Sequence, residues 1–437
     1  MSAFNALNRT VLLCRDYVAD DLSDDEIASA FHSSRILCVS DAANLSCHAG
    51  QTALVTLVSL LSRMGMQVGL RMPDLSILGN QAPFTGNSIR TALTEFSECL
   101  MPGATIVRAD DSFSPDMVFV LGSTAVESSD VPLWRLSGTN WSGGLRAEEA
   151  ADGKTWNEEW PVGGMIAALL AANEAFKAVI RRLDLRQRSD RVFFEPIRDC
   201  HWGFGEIPVP ENALDLGRTD LVSAGAITQA CLFALTRIPR VQMRGRTFDD
   251  DITDISNLNR NMLTLVADIG TAKVDVVSGR CGPGIFIEGV PHRFPGLDAN
   301  AGLARRVLVG VDDIPSRWSA QRAAPEWVGV SGTSHFSVSS SAHLPGQPCS
   351  GCLHPTDDPD GANPIPTVSF VSFWAGLAMA VRLVREALGA AYPSDRQHLW
   401  LTPLRLDQPR AAMWLPVPAV RHCPVRCEAS KLFANAA

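Results

Sequence analysis

Between residues 248 and 273 the chain gathers the side chains that phosphate chemistry uses. Phe248 is followed by Asp249-Asp250-Asp251, then by Asp254, by Ser256-Asn257-Leu258-Asn259-Arg260 and by Gly270-Thr271-Ala272-Lys273. A carboxylate at the end of a second Rossmann-type strand accepts hydrogen bonds from a ribose, which points to Asp249, with Asp251 beside it. Asn257, Arg260 and Lys273 would bring polar and cationic groups toward phosphates. A cationic pair offsets the negative charge that develops in phosphoryl or nucleotidyl transfer. The competing reading is an acidic, solvated loop followed by an ordinary amphipathic helix. Upstream, a dinucleotide-binding turn would read GxGxxG, whereas the chain reads Ser223-Ala224-Gly225-Ala226-Ile227-Thr228 and keeps only the central glycine. That counts against a nicotinamide-dependent dehydrogenase. Gly225 and Ala226 would still let a nucleotide sit on the following helix N-terminus.

The elements that must position these residues are α/β in character. Asp220 to Ser223 reads as a strand, Gln229 to Thr236 as a helix and Val241 to Phe248 as a second strand. The same order occurs earlier, with residues 35–41 as strand, Gln51 to Met64 as helix and Met66 to Met72 as strand. Later parts recur too. Met117 to Gly122 and Val307 to Val311 are apolar strand candidates, each followed by a Ser-Gly-Thr sequence at Ser137-Gly138-Thr139 and Ser331-Gly332-Thr333. Each half closes with a long apolar helix, Gly164 to Leu183 and Ser369 to Leu388, with small residues that permit close packing. The expectation is two tandem Rossmann-like units of one α/β plan: residues 1–190, a linker at 191–215, and residues 216–437.

The string from Asp249 to Lys273 resembles the ubiquitin-activating enzyme superfamily, whose bacterial members include adenylyltransferases of the ThiF/MoeB/HesA type. The family pattern is an acidic pair, then Ser-Asn-Leu-x-Arg, then Gly-x-x-Lys. Here it stands as Asp249/Asp251, Ser256 to Arg260 and Gly270 to Lys273. The next landmark, an Asp after a later strand followed closely by an Arg, is met by Val307-Leu308-Val309-Gly310-Val311-Asp312-Asp313-Ile314-Pro315-Ser316-Arg317. The resemblance runs from about Asp220 to the C-terminus; the first half matches only in layout. It implies Asp249 on the ribose, Asn257, Arg260 and Lys273 around the phosphates of ATP, and Asp312 as the Mg²⁺-linked carboxylate. It implies adenylation of the C-terminal carboxylate of a ubiquitin-like protein or peptide. A non-catalytic partner that keeps the fold and binds such a protein is the rival. Family members work as homodimers or as pairs of one inactive and one active domain, so this chain resembles such a pair in one polypeptide, an internal pseudo-dimer that could still assemble further. The first unit would be degenerate, because Asp41 to Gly50 and the stretch after its second strand hold no Asn-Leu-x-Arg sequence. Family dimers also lend an arginine from an N-terminal segment to the neighbouring ATP, and Arg9 stands at that position.

The eleven cysteines pose a second question. Cys349 and Cys352 form one close pair and Cys423 and Cys427 another, the usual makings of a structural zinc site. The second pair is spaced by three residues rather than two. The resemblance supports zinc, since family members carry two such pairs flanking the last long helix. His354 and His422 lie beside the pairs as substitute ligands. Some relatives receive the activated carboxyl group on a cysteine shortly after the first pair; here the stretch Asn363 to Phe370 has no thiol, and Cys281, in the loop Gly279 to Gly284, is the replacement to weigh against a structural or incidental cysteine.

Composition bounds the rest. With 437 residues, 46% of them hydrophobic and 19% charged, the chain has material for two or three packed domains. A net charge of -9 argues against nucleic acid as a partner. The uncharged run Gly361 to Val381 is too short, after its prolines, to span a membrane comfortably. The start of the chain lacks the features of a secretion signal, so reduced thiols and a cytoplasmic location are expected. The ten tryptophans find no role in this reading.

Overall fold

The computed structural model describes residues 3–127, 130–147, 154–294, 302–323, 325–357 and 365–434. Its chain is mixed α/β with two parallel-rich sheets. The first has seven strands: β1 (Arg35–Val39), β2 (Gln67–Arg71), β3 (Thr105–Arg108), β4 (Met117–Leu121), β5 (Leu133–Gly138), β6 (Ser142–Arg146) and β7 (Asp199–Gly203). The second has eight: β8 (Leu214–Val222), β9 (Val241–Phe248), β10 (Ile285–Val290), β11 (Arg306–Val309), β12 (Trp327–Ser334), β13 (Ser337–His343), β14 (His398–Leu401) and β15 (Ala412–Leu415). Spatial order is β3-β2-β1-β4-β5-β6-β7 in one and β10-β9-β8-β11-β12-β13-β14-β15 in the other, so the plan recurs strand for strand and β15 is added at one edge. In both, five parallel strands carry the Rossmann-like core and the last ones turn antiparallel.

Parallel strands buried on both faces need continuous apolar runs. Met117–Leu121 is buried throughout, and three of the four residues of Arg306–Val309 are. Each sheet is backed by a helix after its first strand, His48–Arg63 or Ala226–Leu235, and by the long closing helix, Val162–Ile180 or Ser369–Ala387. Glycine sets how closely these pairs approach. A Cβ at Gly376 would lie 2.5 Å from Ala230 Cβ and 2.6 Å from Ile227 O; one at Gly164 would lie 2.7 Å from Ala49 O. Val162–Ile180 is long and apolar enough to cross a membrane, yet 94% of it is buried within the protein. It is a core helix, in which Glu174 and Lys177 pair away from solvent.

The segment 191–215, expected as a linker, departs from that expectation. It holds β7, the edge strand of the first sheet, and the start of β8. Trp202 on β7 packs edge-on against Trp374 of the other unit's long helix, with ring centroids 5.1 Å apart. Trp141, Trp160 and Trp374 are among the largest fully buried side chains. These four tryptophans serve packing, part of it across the two units.

Two buried arginines tie the units together reciprocally. Arg63, the last residue of the first unit's helix His48–Arg63, donates to the carbonyls of Leu258 (2.6 Å), Met262 (3.1 Å) and Thr264 (2.8 Å). Arg237, just beyond the second unit's helix Ala226–Leu235, donates to Ala82 O of the first unit at 2.8 Å. Each reaches the loop that follows the second strand of the other unit. Burial with only carbonyl partners pushes the Arg63 guanidinium down to about 9.

Candidate nucleotide site

Strands β8, β9 and β11 end side by side, and the loops leaving them enclose a cavity of about 660 Å³. The rule for open α/β sheets places ligands here, at the carboxyl ends of the strands where the order reverses. Gly225, Ala226, Asp249, Asp251, Ser256, Asn257, Arg260, Lys273 and Asp312 all line it, together with Arg9 from the first unit. These residues come from four separate stretches of sequence.

The turn after β8 is built without the missing outer glycines. Ser223 adopts φ 95°, the left-handed region usually left to glycine, at a cost of about 1–3 kcal/mol. Asp249 offsets part of that cost: its Oδ2 accepts from Ala224 N at 2.7 Å, and Ser223 Oγ accepts from Gly225 N at 2.9 Å. The Asp249 Oδ1 atom also accepts from Asp251 N at 2.9 Å. Asp249 thus braces the turn and the loop after β9, besides facing the cavity. Gly225 ends the turn and opens helix Ala226–Leu235. A Cβ there would press on Ser223 Oγ at 3.1 Å.

The loop after β9 is pinned by its own polar groups. Asp254 and Asn257 form a reciprocal cap, with Asp254 N donating to Asn257 Oδ1 at 2.8 Å and Asp254 Oδ1 accepting from Ser256 N at 2.8 Å. Arg260 donates to Ser256 O at 2.5 Å and to Asn259 Oδ1 at 3.0 Å. From outside, Arg63 holds carbonyls on either side of Arg260, those of Leu258, Met262 and Thr264. Lys273, at the start of helix Lys273–Arg280, forms an ion pair with Asp251 at 2.5 Å. Its backbone N donates to Asp251 O at 3.0 Å, so the lysine is delivered to the acidic loop by a short antiparallel bridge, Ile252 to Ala272.

Arg9 lies on helix Asn8–Arg15 and donates to Ile365 O at 3.4 Å. Burial lowers its guanidinium from the ordinary arginine value, while the charges of Asp312 and Asp254 act to raise it. Arg260 is pushed down to about 10, by burial first and then by the like charge of Arg9. Two guanidiniums held against each other in a recess are stabilised by a polyanion. Asp312, exposed at the end of the β11 loop, supplies the facing carboxylate. Sequence position alone suggests Arg9; its arrival in the second unit's cavity follows from packing between segments more than 200 residues apart, which no local pattern shows.

The corresponding region of the first unit is filled. Asn44 donates to Asp41 Oδ1 (2.9 Å) and Thr124 Oγ1 (3.1 Å), and its Oδ1 accepts from Trp156 N at 3.0 Å. A Cβ at Gly122, after β4, would lie 2.0 Å from Asn44 Oδ1 and 2.7 Å from the Trp156 ring. The side chains of this unit occupy their own cleft.

Away from the cavity, the sulfurs of Cys349, Cys352, Cys423 and Cys427 converge within 4.8 Å of one another. The Cys349–Cys423 and Cys352–Cys427 separations, 3.4 Å and 3.5 Å, are far beyond the ~2.05 Å of a disulfide. They lie close to the ~3.8 Å edge of a tetrahedron with ~2.3 Å zinc–sulfur bonds. The donor set fits zinc. His354 takes another role, meeting Arg317 Nη1 through its Nε2 at 3.2 Å. His422 is exposed.

Cys281 does not suit a thioester role. It is 1% exposed, its thiol is pushed up to about 12 by burial, and its Sγ donates to Val277 O at 3.1 Å. In the stretch expected to hold such a cysteine, Asn363 and Pro364 lie outside the described residues, while Ile365 and Thr367 line the cavity.

Known proteins resemble this chain in the following respects. The family model of the BilD N-terminal domain matches residues 35–191. The uncharacterized protein y4jF of Sinorhizobium fredii (strain NBRC 101917 / NGR234) is 24% identical over 347 residues, covering 77% of this chain. The chain spans 63% of the length of that curated relative. Among solved structures, E. coli MccB with MccA-N7isoASN superimposes with a TM-score of 0.41 at 12% identity, over 67% of this chain and 97% of MccB. E. coli MccB with ATP gives 0.40 at 11% identity over the same shares. SeMet PaaA gives 0.33 at 14% identity, over 43% of this chain and 60% of PaaA.

Proposed function

We propose that this protein is an ATP-dependent adenylating enzyme of the ThiF type, which transfers AMP to the C-terminal carboxylate of a ubiquitin-like protein or peptide and releases pyrophosphate. The observation that carries the reading is the convergence of Asp249, Asn257, Arg260, Lys273 and Asp312 on one cavity at the ends of β8, β9 and β11, joined by Arg9. In this reading the chain is an internal pseudo-dimer. The first unit, its own cleft filled by Asn44 and Trp156, contributes Arg9 and the Arg63 clamp. The second unit does the chemistry.

The carboxylate oxygen of the acceptor attacks the α-phosphorus, an acyl-phosphate bond forms as the bond to the bridging oxygen of the β-phosphate breaks, and pyrophosphate leaves. An already ionised carboxylate needs no general base, so the protein contributes position and charge. Asp249, beside the Gly225 turn, receives the ribose hydroxyls. Asn257 fixes the loop that carries Arg260. Arg9, Arg260 and Lys273 neutralise the charge that moves onto the departing phosphates, and Lys273 leaves Asp251 to do so. Asp312 is the residue that would hold Mg²⁺, which supplies further charge neutralisation when bound; an exposed carboxylate lining the cavity offers the oxygen donor that a hard cation takes. The four cysteines would hold Zn²⁺, a closed shell with no position for substrate.

Exchange of labelled pyrophosphate into ATP tests the reading, in the presence of ubiquitin-like proteins or peptides with free C-termini. Exchange that persists unchanged in Lys273→Ala and Asp312→Ala would remove the site assignment. ATP binding without exchange by any acceptor would favour a nucleotide-dependent binding partner instead.

A further inference from the structure

The four-cysteine turns and the Asp312 turn are both bonded to one short helix, Ile314–Arg322. Its N-cap is Asp313, whose Oδ2 accepts from Ser316 N at 2.7 Å. Arg317, 6% exposed, sends Nε and Nη2 back to Val311 O at 3.0 Å and 2.9 Å. That carbonyl belongs to the peptide joining Val311 to Asp312, so the fork fixes the plane from which Asp312 projects. The third guanidinium nitrogen, Nη1, meets His354 Nε2 at 3.2 Å, two residues beyond Cys352.

Further bonds run from the same helix to both cysteine turns. Ser350 Oγ donates to Arg317 O at 3.3 Å, Trp318 Nε1 donates to His354 O at 2.9 Å, and Arg322 Nη2 donates to Pro424 O at 3.0 Å. Gly332, in the Ser-Gly-Thr sequence on β12, makes the room. A Cβ there would sit 2.7 Å from Arg317 Nη2. A buried cation that touches no carboxylate among the described residues and spends its donors on one carbonyl and one imidazole is an expensive arrangement, and burial lowers its guanidinium despite the nearby charges of Asp312 and Asp313.

We infer that Arg317 is a positioning residue that couples the metal state of the cysteine cluster to the orientation of Asp312, so that loading the cluster sets the affinity for Mg²⁺·ATP. The inference rests on the proposed adenylation site for Asp312 and on the fit of the four thiols for zinc. Cys349 and Cys352 hold the turn that presents Ser350 and His354; Cys423 and Cys427 hold the one that presents Pro424. With all four sulfurs on one ion, both turns are fixed and the Arg317 fork is clamped between them. With the ion removed, His354 is free to move, and Val311–Asp312 loses its fixed plane. Ligands held by groups one step out commonly lose about tenfold in affinity or more when those groups go.

The test combines the metal state with Arg317→Gln in the full chain and has two readouts. In calorimetry, zinc-stripped wild-type protein, with the chelator removed and Mg²⁺ restored, is expected to bind Mg²⁺·ATP roughly tenfold more weakly than the zinc-loaded form. Zinc-loaded Arg317→Gln is expected to show a similar loss, with stripping adding less than about twofold, because the two changes act through one link. Binding of ATP without Mg²⁺ is expected to be unchanged throughout, which a general loss of folding would not give. Additive losses, or a wild-type affinity indifferent to zinc, overturn the coupling. Amide hydrogen exchange of residues 310–318 gives the second readout and needs no nucleotide. Stripping is expected to raise exchange there in the wild type and to change it little in Arg317→Gln. If no form binds ATP, the adenylation reading fails on its own; whether exchange at 310–318 responds to zinc then decides whether the link itself exists.

Discussion

Lys273 Nζ lies 2.5 Å from a carboxylate oxygen of Asp251, and the two residues are joined again through their backbones, 3.0 Å from Lys273 N to Asp251 O. The backbone bond delivers the lysine to the mouth of the cavity, and the ion pair holds it there while no phosphate is present. Because the Asp251 carboxylate is 64% exposed, that pair is weak, about 0–1 kcal/mol, and its lysine can be handed to a phosphate at small cost. Lys273→Ala is therefore expected to leave the melting temperature within about 2 °C of wild type and to cut pyrophosphate exchange by about a hundredfold or more. Parallel thermal melts and exchange assays check both halves.

Arg9 belongs to the first unit by sequence and to the second unit's site by position. Arg9→Ala is expected to weaken ATP binding by about tenfold to a hundredfold, the worth of one charge-assisted hydrogen bond, with the fold intact. Calorimetry on the variant checks it. An unchanged affinity would mean that the arginine only lines the recess.

Arg63 is the larger structural stake. Removing it leaves the carbonyls of Leu258, Met262 and Thr264 without their donor in a buried joint. Arg63→Ala is expected to cost on the order of 3 kcal/mol in urea unfolding and to weaken ATP binding as the Arg260 loop loosens. Arg237→Ala, which frees the first unit's loop instead, is expected to lower stability with a smaller effect on ATP.

A histidine near the cysteine domain gives a pH signature. His343 is buried between Ser341 Oγ and Pro348 O, both 3.0 Å from its ring nitrogens, and burial pushes it down to about 4 from an ordinary value of 6.5. The unfolded chain takes up this proton more readily than the folded one. Its effect is therefore absent above pH 6.5 and grows as pH falls through the window down to about 4. The loss is on the order of 3 kcal/mol at the bottom of that window. Urea titrations at pH 7, 5.5 and 4 are expected to show a steeper loss in wild type than in His343→Gln.

Chelation of the cysteine cluster is expected to lower the melting temperature, to release one zinc per chain and to free the tail around Cys423 and Cys427 for proteolysis. Metal content measured before and after stripping checks the stoichiometry. A protein that stays equally stable and resistant after stripping would contradict a structural zinc.

The fold was readable where local pattern decides it. Apolar runs marked β4 and β11, and the recurrence of strand, helix and Ser-Gly-Thr pointed to two units of one plan. The residues of the cavity were readable because Asp249, Asn257, Arg260 and Lys273 lie within 25 residues of one another in a spacing that resembles a family pattern. What stayed hidden was set by distant packing. β7 lies in an aromatic- and proline-rich stretch that reads as a connector, and Arg63 and Arg237 act on loops of the other unit, whereas Arg9 was legible only by its position in the family resemblance. The Ser223 turn defeats glycine counting, since a serine there takes the left-handed conformation with Asp249 bracing the peptide beyond it. Cys281, weighed as a replacement nucleophile against a structural role, takes the structural one, with its buried thiol donating to Val277 O.

The central claim, adenylation of a C-terminal carboxylate at the Arg260–Lys273–Asp312 site, is tested most directly by pyrophosphate exchange with one acceptor in two forms. A ubiquitin-like protein or peptide with a free C-terminal carboxylate is expected to drive exchange of labelled pyrophosphate into ATP in the wild type. The same acceptor with a C-terminal amide is expected to be silent, as are Lys273→Ala and Asp312→Ala with either form. Exchange that proceeds equally with the amidated acceptor, or that survives both substitutions, would contradict the account.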